Sequence, residues 1–362
     1  MDYKKIAQYL LPYGYIYNRY NRISKMEALL NEFNDSDIID LTSTVESKFK
    51  TIVSVQGFGY SGSGAVVDLL REYSNCQVIG YVSVEGSKTA RSKSMAEVDF
   101  IRLAGGLFEI EKYMESNNLF HDDALIHRTL SVIESSCLFR VPELRPYFLS
   151  FLKSIIDFSL PNLSQAYYNA YLKMPRSRAS IYFLKKMPLL EFRKMCGNFL
   201  NAIFNYFYTE NTDFFVADQL FSDFEFDMDR NKQYTPNLKC IYIPRDPRDL
   251  YAWTNYKKVE WIPQGLESFI KWYKIMYSHL FTPKKDSLIV RYEAICLDYD
   301  KEYKRIVDFL GLDESLHANK KECFNPDASS KFVNIWKKSE MPKHDFDVIK
   351  KELSEYCCSL VD

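Results

Sequence analysis

Short β-branched runs alternate with longer segments of helical period along this chain. Thr51–Gln56 (TIVSVQ) reads as a buried strand. Gly57–Gly64 (GFGYSGSG) follows, with four glycines and two serines. Ala65–Tyr73 then carries apolar residues at 66, 67, 69, 70 and 73, one face of a helix. Further strands are expected at Gln77–Val84, Phe214–Asp218, Lys239–Ile243 and Ser287–Val290. Lys301–Leu310 reads as an amphipathic helix ended by Gly311. Strand–helix alternation of this kind predicts an α/β protein with a central parallel sheet flanked by helices.

The remaining segments set the domain plan. Residues 1–50 read as an N-terminal aromatic-rich helical arm, broken at Pro12–Gly14, and a polar linker. The α/β domain is expected over 51–338, with a mainly helical insertion at about 126–208 that includes SFLKSIIDF, QAYYNAYLKM and the run Leu189–Tyr208. Asp99–Tyr113 reads as helix broken at Gly105–Gly106, and 339–362 as a C-terminal helix.

The chain has 362 residues, enough for one large core or a domain with an insertion. With 47 Lys+Arg against 48 Asp+Glu it lacks the basic excess of a dedicated nucleic-acid binder. Eight cysteines stand without CxxC spacing, and no secretory leader pattern is visible, which predicts reduced thiols in the cytoplasm. No apolar run reaches the roughly 18–20 residues of a membrane span; the arm at 1–34 is a candidate for weak membrane-surface contact. None of the Cys or His spacings makes a metal site.

A glycine-rich loop between a strand and a helix suits an anion: backbone N–H groups converge, the helix N-terminus adds partial positive charge, and serine hydroxyls donate. No Lys follows Gly62, so the loop is not a Walker A motif. Gly57-x-Gly59-x-x-Gly62 satisfies the dinucleotide spacing, with Glu85 near the position of a ribose-binding acid, and that reading stays open. Downstream, PRDPRD places Arg245 and Arg248 just past a strand, either as phosphate clamps or paired with Asp246 and Asp249. Arg176, Arg178, Lys185 and Lys186 put positive charge in the insertion, facing an anionic acceptor or solvent.

Four pieces, in order, resemble the sulfotransferase family that uses 3′-phosphoadenosine 5′-phosphosulfate (PAPS). Gly57–Leu70 is similar to its 5′-phosphosulfate loop, and Cys240–Asn255 to its 3′-phosphate segment. VRYEAICLDYDKEYKRIVDFLGL (290–312) is close to its RYE…FLGL stretch. NPDASSKFVNIWKK (325–338) is like the stretch that closes over the donor. The resemblance implies a P-loop-like sulfotransferase fold and in-line transfer of a sulfuryl group from PAPS to a carbohydrate or glycan hydroxyl, without a metal. It implies that Gly57, Gly59, Tyr60, Ser61, Gly62, Ser63 and Gly64 hold the phosphosulfate, and that Arg245 and Lys331 meet the 3′-phosphate. The chain departs from the family at two positions. Tyr60 stands where the family has a cation, with Arg91, Lys93 and Lys331 as substitutes, and Trp253 stands where it has a serine, with Thr254 beside it. Glu97, in AEVDF, is the first candidate for the general base and Glu85 the second, with Asp99, His121 and His127 behind them. Two other functions stay open: a nucleotide-dependent kinase, and a non-catalytic nucleotide-binding member of the fold.

Overall fold

The computed structural model describes residues 39–79, 107, 110–111, 144–160, 181–220, 228–282 and 284–361. These fall into two compact units, the smaller made of parts of the chain before Ile203 and the larger holding the sheet and everything from Phe204 on.

Within the larger unit the chain runs β1 (Thr51–Gln56), α1 (Ser63–Arg71) and β2 (Cys76–Ile79). The smaller unit contributes α2 (Arg145–Ile155), β3 (Ile156–Leu160), β4 (Ile181–Leu184) and most of α3 (Leu189–Tyr206). The larger unit continues with β5 (Phe214–Asp218), α4 (Met228–Tyr234), β6 (Leu238–Tyr242), α5 (Pro247–Lys257), α6 (Leu266–Tyr277) and β7 (Ser287–Ile289). It ends with α7 (Tyr292–Leu297), α8 (Tyr299–Leu310), α9 (Pro326–Ser330) and α10 (Lys343–Glu352).

Among the described residues the larger unit is built on a five-stranded sheet of order β2-β5-β1-β6-β7, parallel at every pairing. The protein is therefore α/β with a central parallel sheet flanked by helices. Strands in such sheets are covered on both faces, so they read as continuous apolar runs rather than alternating ones. All five residues of β5 are buried, as are residues 52–56 of β1. The polar members of β1 are satisfied internally: Gln56 Nε2 donates to Ser54 Oγ at 2.5 Å. Val66, Val67, Leu69 and Leu70 of α1 pack on Val53, Val55 and Val216, joined by Ile306, Val307 and Leu310 of α8.

The expected strands at Thr51–Gln56 and Phe214–Asp218 appear with those limits, those at Lys239–Ile243 and Ser287–Val290 within a residue, and the one expected from Gln77 begins at Cys76. Beyond Ile79 the second strand candidate leaves the described residues, as do the arm at 1–34 and Asp99–Tyr113 apart from Leu107, Ile110 and Glu111.

The described residues of the insertion are mostly helical, with two strands among them. Ile156–Leu160 leaves α2 directly as a strand and pairs antiparallel with Ile181–Leu184. No Gly or Pro separates helix from strand, so the helical period of SFLKSII conceals the switch. The aromatic and β-branched residues that favour pairing sit in two segments about 20 residues apart. In this unit Phe151 stacks on Phe199 with centroids 4.6 Å apart. Asn198 holds residues 41–45: its Nδ2 donates to the Leu41 and Ser43 carbonyls at 2.7 and 2.8 Å, and its Oδ1 accepts from Val45 N at 3.0 Å.

The end of α1 is held by a buried carboxylate that sequence reading did not single out. Glu72 accepts from the backbone N–H groups of Lys321, Cys323 and Phe324 at 3.1, 3.0 and 2.8 Å, and from His317 Nε2 at 2.7 Å. His317 Nδ1 lies 3.0 Å from the Tyr303 hydroxyl, which in turn lies 2.8 Å from that of Tyr73. Removing the acceptor leaves four donors without a partner in a site closed to water. Glu72→Ala is therefore expected to lower unfolding free energy by about 3 kcal/mol in urea titration. A loss below about 1 kcal/mol would mean that the 317–324 segment is held by its apolar contacts instead.

Candidate functional site

The site lies at the carboxyl ends of β1 and β6. These neighbours send their connections to opposite sides, β1 toward β2 and β6 toward β7. Open parallel sheets have their ligand crevice at such a reversal.

From β1 the chain enters the glycine loop. Gly59 has φ 34°, Tyr60 φ 61°, and Gly62, the N-cap of α1, φ 96°. A Cβ on Gly62 would sit 2.3 Å from the Tyr292 ring, and one on Gly59 2.3 Å from the indole of Trp261. Both glycines are thus required twice, by their left-handed backbone and by the rings against them. Tyr60 has no such licence: a bulky residue in the left-handed region costs about 1–3 kcal/mol and persists only where its surroundings impose it. Tyr277 imposes part of it, donating its hydroxyl to the Phe58 carbonyl and, at 3.0 Å, to that of Gly59.

This geometry turns the carbonyls of residues 58–60 toward the protein and leaves the amides unused. Among the described residues the N–H groups of Gly59, Tyr60, Ser61 and Gly62 have no acceptor, and the hydroxyls of Ser61 and Ser63 have no hydrogen-bond partner. Both serines are buried, and the N-cap of α1 is without a side-chain cap. Unspent donors at a helix N-terminus make a seat for an anion.

Arg245, three residues past β6, closes one side. It is 4% exposed. Its Nη1 donates to the Tyr60 carbonyl at 3.1 Å and its Nη2 to that of Phe332 at 2.7 Å, with the guanidinium 4.9 Å from the Tyr292 ring centre. Its Nε is buried with no partner among the described residues. A buried cationic donor left open beside unspent amides is the strongest local sign of an anionic ligand.

The two arginines of PRDPRD have different surroundings. Arg248 pairs with Asp246, whose carboxylate takes its Nε at 3.0 Å, its Nη2 at 2.7 Å and its backbone N–H at 2.8 Å, plus Cys358 N at 2.8 Å. Asp249 accepts from Asn334 N at 2.8 Å and Trp336 N at 3.2 Å, which holds the C-terminal stretch against α5; burial raises its pKa. Thr254, the hydroxyl beside Trp253, is fully buried and donates Oγ1 to the Leu250 carbonyl of its own helix at 2.9 Å. Lys331 is exposed, with Nζ 5.1 Å from the ring centre of Phe332, the residue whose carbonyl Arg245 holds. The structure therefore brings together the glycine loop, Arg245 and the 331–332 segment. Glu85, Glu97, Arg91, Lys93, Asp99, His121, His127, Arg176 and Arg178 lie outside the described residues.

Several supporting residues were not apparent from sequence. In the RYE run, Tyr292 carries both Gly62 and Arg245 on its ring and donates to the Ser329 carbonyl at 3.2 Å. Tyr273 donates to the Arg245 carbonyl at 2.6 Å. Glu293 accepts Asp246 N at 2.8 Å through Oε1, while its Oε2 is buried without a partner. The helical spacing of Tyr273 and Tyr277 was the available signal, but it is equally that of a packed face. Among the described residues no cluster of His, Cys, Asp and Glu is suited to a metal, and no helix is long and apolar enough to cross a membrane. No protein-family model matches the chain, and a search of curated proteins finds no match.

Burial, then the neighbouring Asp246 charge, raises the Glu293 pKa from 4.5 to about 7. The folded protein holds this proton more tightly than the unfolded chain. Its stabilising contribution is complete below about pH 4.5 and is lost as pH rises through about 7. Glu293→Gln keeps the Oε1 acceptor and cannot ionise. Between pH 5 and 8 the wild type is expected to lose about 2–3 kcal/mol of stability relative to this variant in parallel urea titrations. A difference that stays flat across that range would exclude Glu293 as the titrating group.

Proposed function

We propose that this protein is a sulfotransferase that moves the sulfuryl group of PAPS to a hydroxyl of a carbohydrate or glycan acceptor, on a P-loop-like sulfotransferase fold. One observation carries the reading: among the described residues the amides of 59–62 and the hydroxyls of Ser61 and Ser63 are unspent in the loop whose Tyr60 carbonyl is held by Arg245, and the Arg245 Nε is open as well. The donor set fits a ligand with two anionic groups. The loop and α1 N-terminus suit one, and Arg245 with Lys331 suits the other. The loop contains no lysine and no carboxylate.

PAPS, when bound, supplies the sulfuryl group and a phosphate leaving group. The chain's part is positioning and electrostatics, as in phosphoryl transfer. The loop amides and the dipole of α1 stabilise negative charge that grows on the phosphate, and one such donor is worth roughly 3–4 kcal/mol of barrier. Ser61 and Ser63 donate to the same oxygens. Tyr60 supplies no charge there, so the leaving group relies on amides and on cations from neighbouring segments. Glu97, or Glu85, takes the acceptor proton in this scheme.

A second reading rests on Tyr60 itself. With a neutral ring in the cation's position, the chain would bind the nucleotide without turning it over.

Calorimetric titration with 3′-phosphoadenosine 5′-phosphate, against ATP–magnesium and NAD, tests the proposal. Micromolar binding is expected. Arg245→Ala should weaken it about 100-fold, and Lys331→Ala, at an exposed position that cannot disturb the core, about threefold to tenfold. Absence of binding, or preference for ATP–magnesium, would overturn the reading. Sulfuryl transfer to any member of a saccharide panel then separates the enzyme from the silent binder.

A further inference from the structure

The strained residue of the loop also bears its most exposed aromatic ring. Tyr60 is 47% and Trp261 55% exposed, and the two rings stack with centroids 6.0 Å apart and planes 19° from parallel. The pair is fixed from below. The Phe58 ring meets Trp261 edge-on at 6.1 Å and 82°, and the indole edge lies on the Gly59 backbone so closely that a Cβ there would be 2.3 Å away. Two large rings with about half their surface in water, held by a left-handed tyrosine and a glycine that cannot be replaced, are not accounted for by packing. The phenol of Tyr60 and the indole N–H of Trp261 have no hydrogen-bond partner among the described residues.

The geometry points to a saccharide subsite on Tyr60 and Trp261, in which the C–H face of a pyranose ring lies on the aromatic pair and its hydroxyls bond to the phenol and the indole N–H. Aromatic side chains with a polar edge offer both contacts at once and lose little rotamer freedom on binding. Tyr60 lies in the loop between the free amides of Gly59 and Ser61, so a sugar on its ring stands next to the anion seat. No charged side chain belongs to the stack, which favours a neutral ring over an anionic one. As an acceptor site the platform rests on the sulfuryl-transfer reading; as a saccharide site it does not.

The full chain is applied to a printed array of defined oligosaccharides and titrated in parallel with 3′-phosphoadenosine 5′-phosphate. Wild type is expected to bind a subset of the array. Trp261→Ala and Tyr60→Ala should each lose about tenfold of that signal, Trp261→Phe and Tyr60→Phe should recover most of it, and the nucleotide affinity of Trp261→Ala, a residue outside the loop, should stay within about twofold of the wild type. The subsite is overturned if the wild type binds no saccharide, if both alanine variants bind as the wild type does, or if the nucleotide affinity of Trp261→Ala falls with its saccharide signal, which would make the rings a base-stacking site. Ring-dependent saccharide binding without nucleotide binding would sustain the subsite and remove the sulfotransferase reading instead.

Discussion

The guanidinium of Arg245 is the constraint on which the site depends. It joins three segments far apart in sequence: the loop through the Tyr60 carbonyl, its own strand end, and the C-terminal stretch through the Phe332 carbonyl. A planar, permanently charged group can hold two carbonyls in fixed directions; a lysine ammonium cannot. Because the Tyr60 carbonyl is taken by Arg245 and those of Phe58 and Gly59 by Tyr277, the loop's amides are left for another partner. The Tyr292 ring beneath fixes the height of the guanidinium and that of Gly62 together.

Around this centre, buried carboxylates bond backbone amides of distant segments. Asp246 takes Cys358 N, Asp249 takes Asn334 and Trp336, Glu293 takes Asp246, and Glu72 takes three amides of 321–324. Loops that run over a sheet expose backbone groups that must find partners once water is excluded. Acidic side chains on helix ends supply those partners here, so the segments between the short helices of the C-terminal stretch are fixed by side chains of other elements. The exceptions mark the site. Most buried donors around it are matched, whereas the loop amides and Arg245 Nε are left open among the described residues.

The sheet was legible because its strands are continuous β-branched runs and its helices carry period; TIVSVQ and FFVAD could be bounded to the residue. The Ile156–Leu160 strand was not, because its pairing partner is remote and the preceding helix shares its apolar composition. At the site, the glycine pattern and the PRDPRD run identified the loop and Arg245, but not which arginine was spent. Only Asp246's bonds to Arg248 decide that. Thr254 looked available as a hydroxyl at the right spacing, yet its helix takes the proton. Residues such as Tyr273 and Tyr292 act through a ring or a hydroxyl aimed at a distant carbonyl, and neither residue type nor period encodes that aim.

The neutral Tyr60 changes the electrostatic design of the loop rather than merely weakening it. Its ring stacks on Trp261, and it is the Trp261 indole that lies over the Gly59 backbone. Oriented amides in a water-poor site lose no reorganisation energy when charge develops, whereas an exposed lysine must shed its hydration. Screening by solvent reduces a dipole's effect most where a site is open. A ligand large enough to cover both the Tyr60–Trp261 pair and the loop would exclude water from the amides. A ligand stacked there would strengthen the amide–anion interaction beside it, and binding at the rings and at the loop would be coupled through the exclusion of the same water.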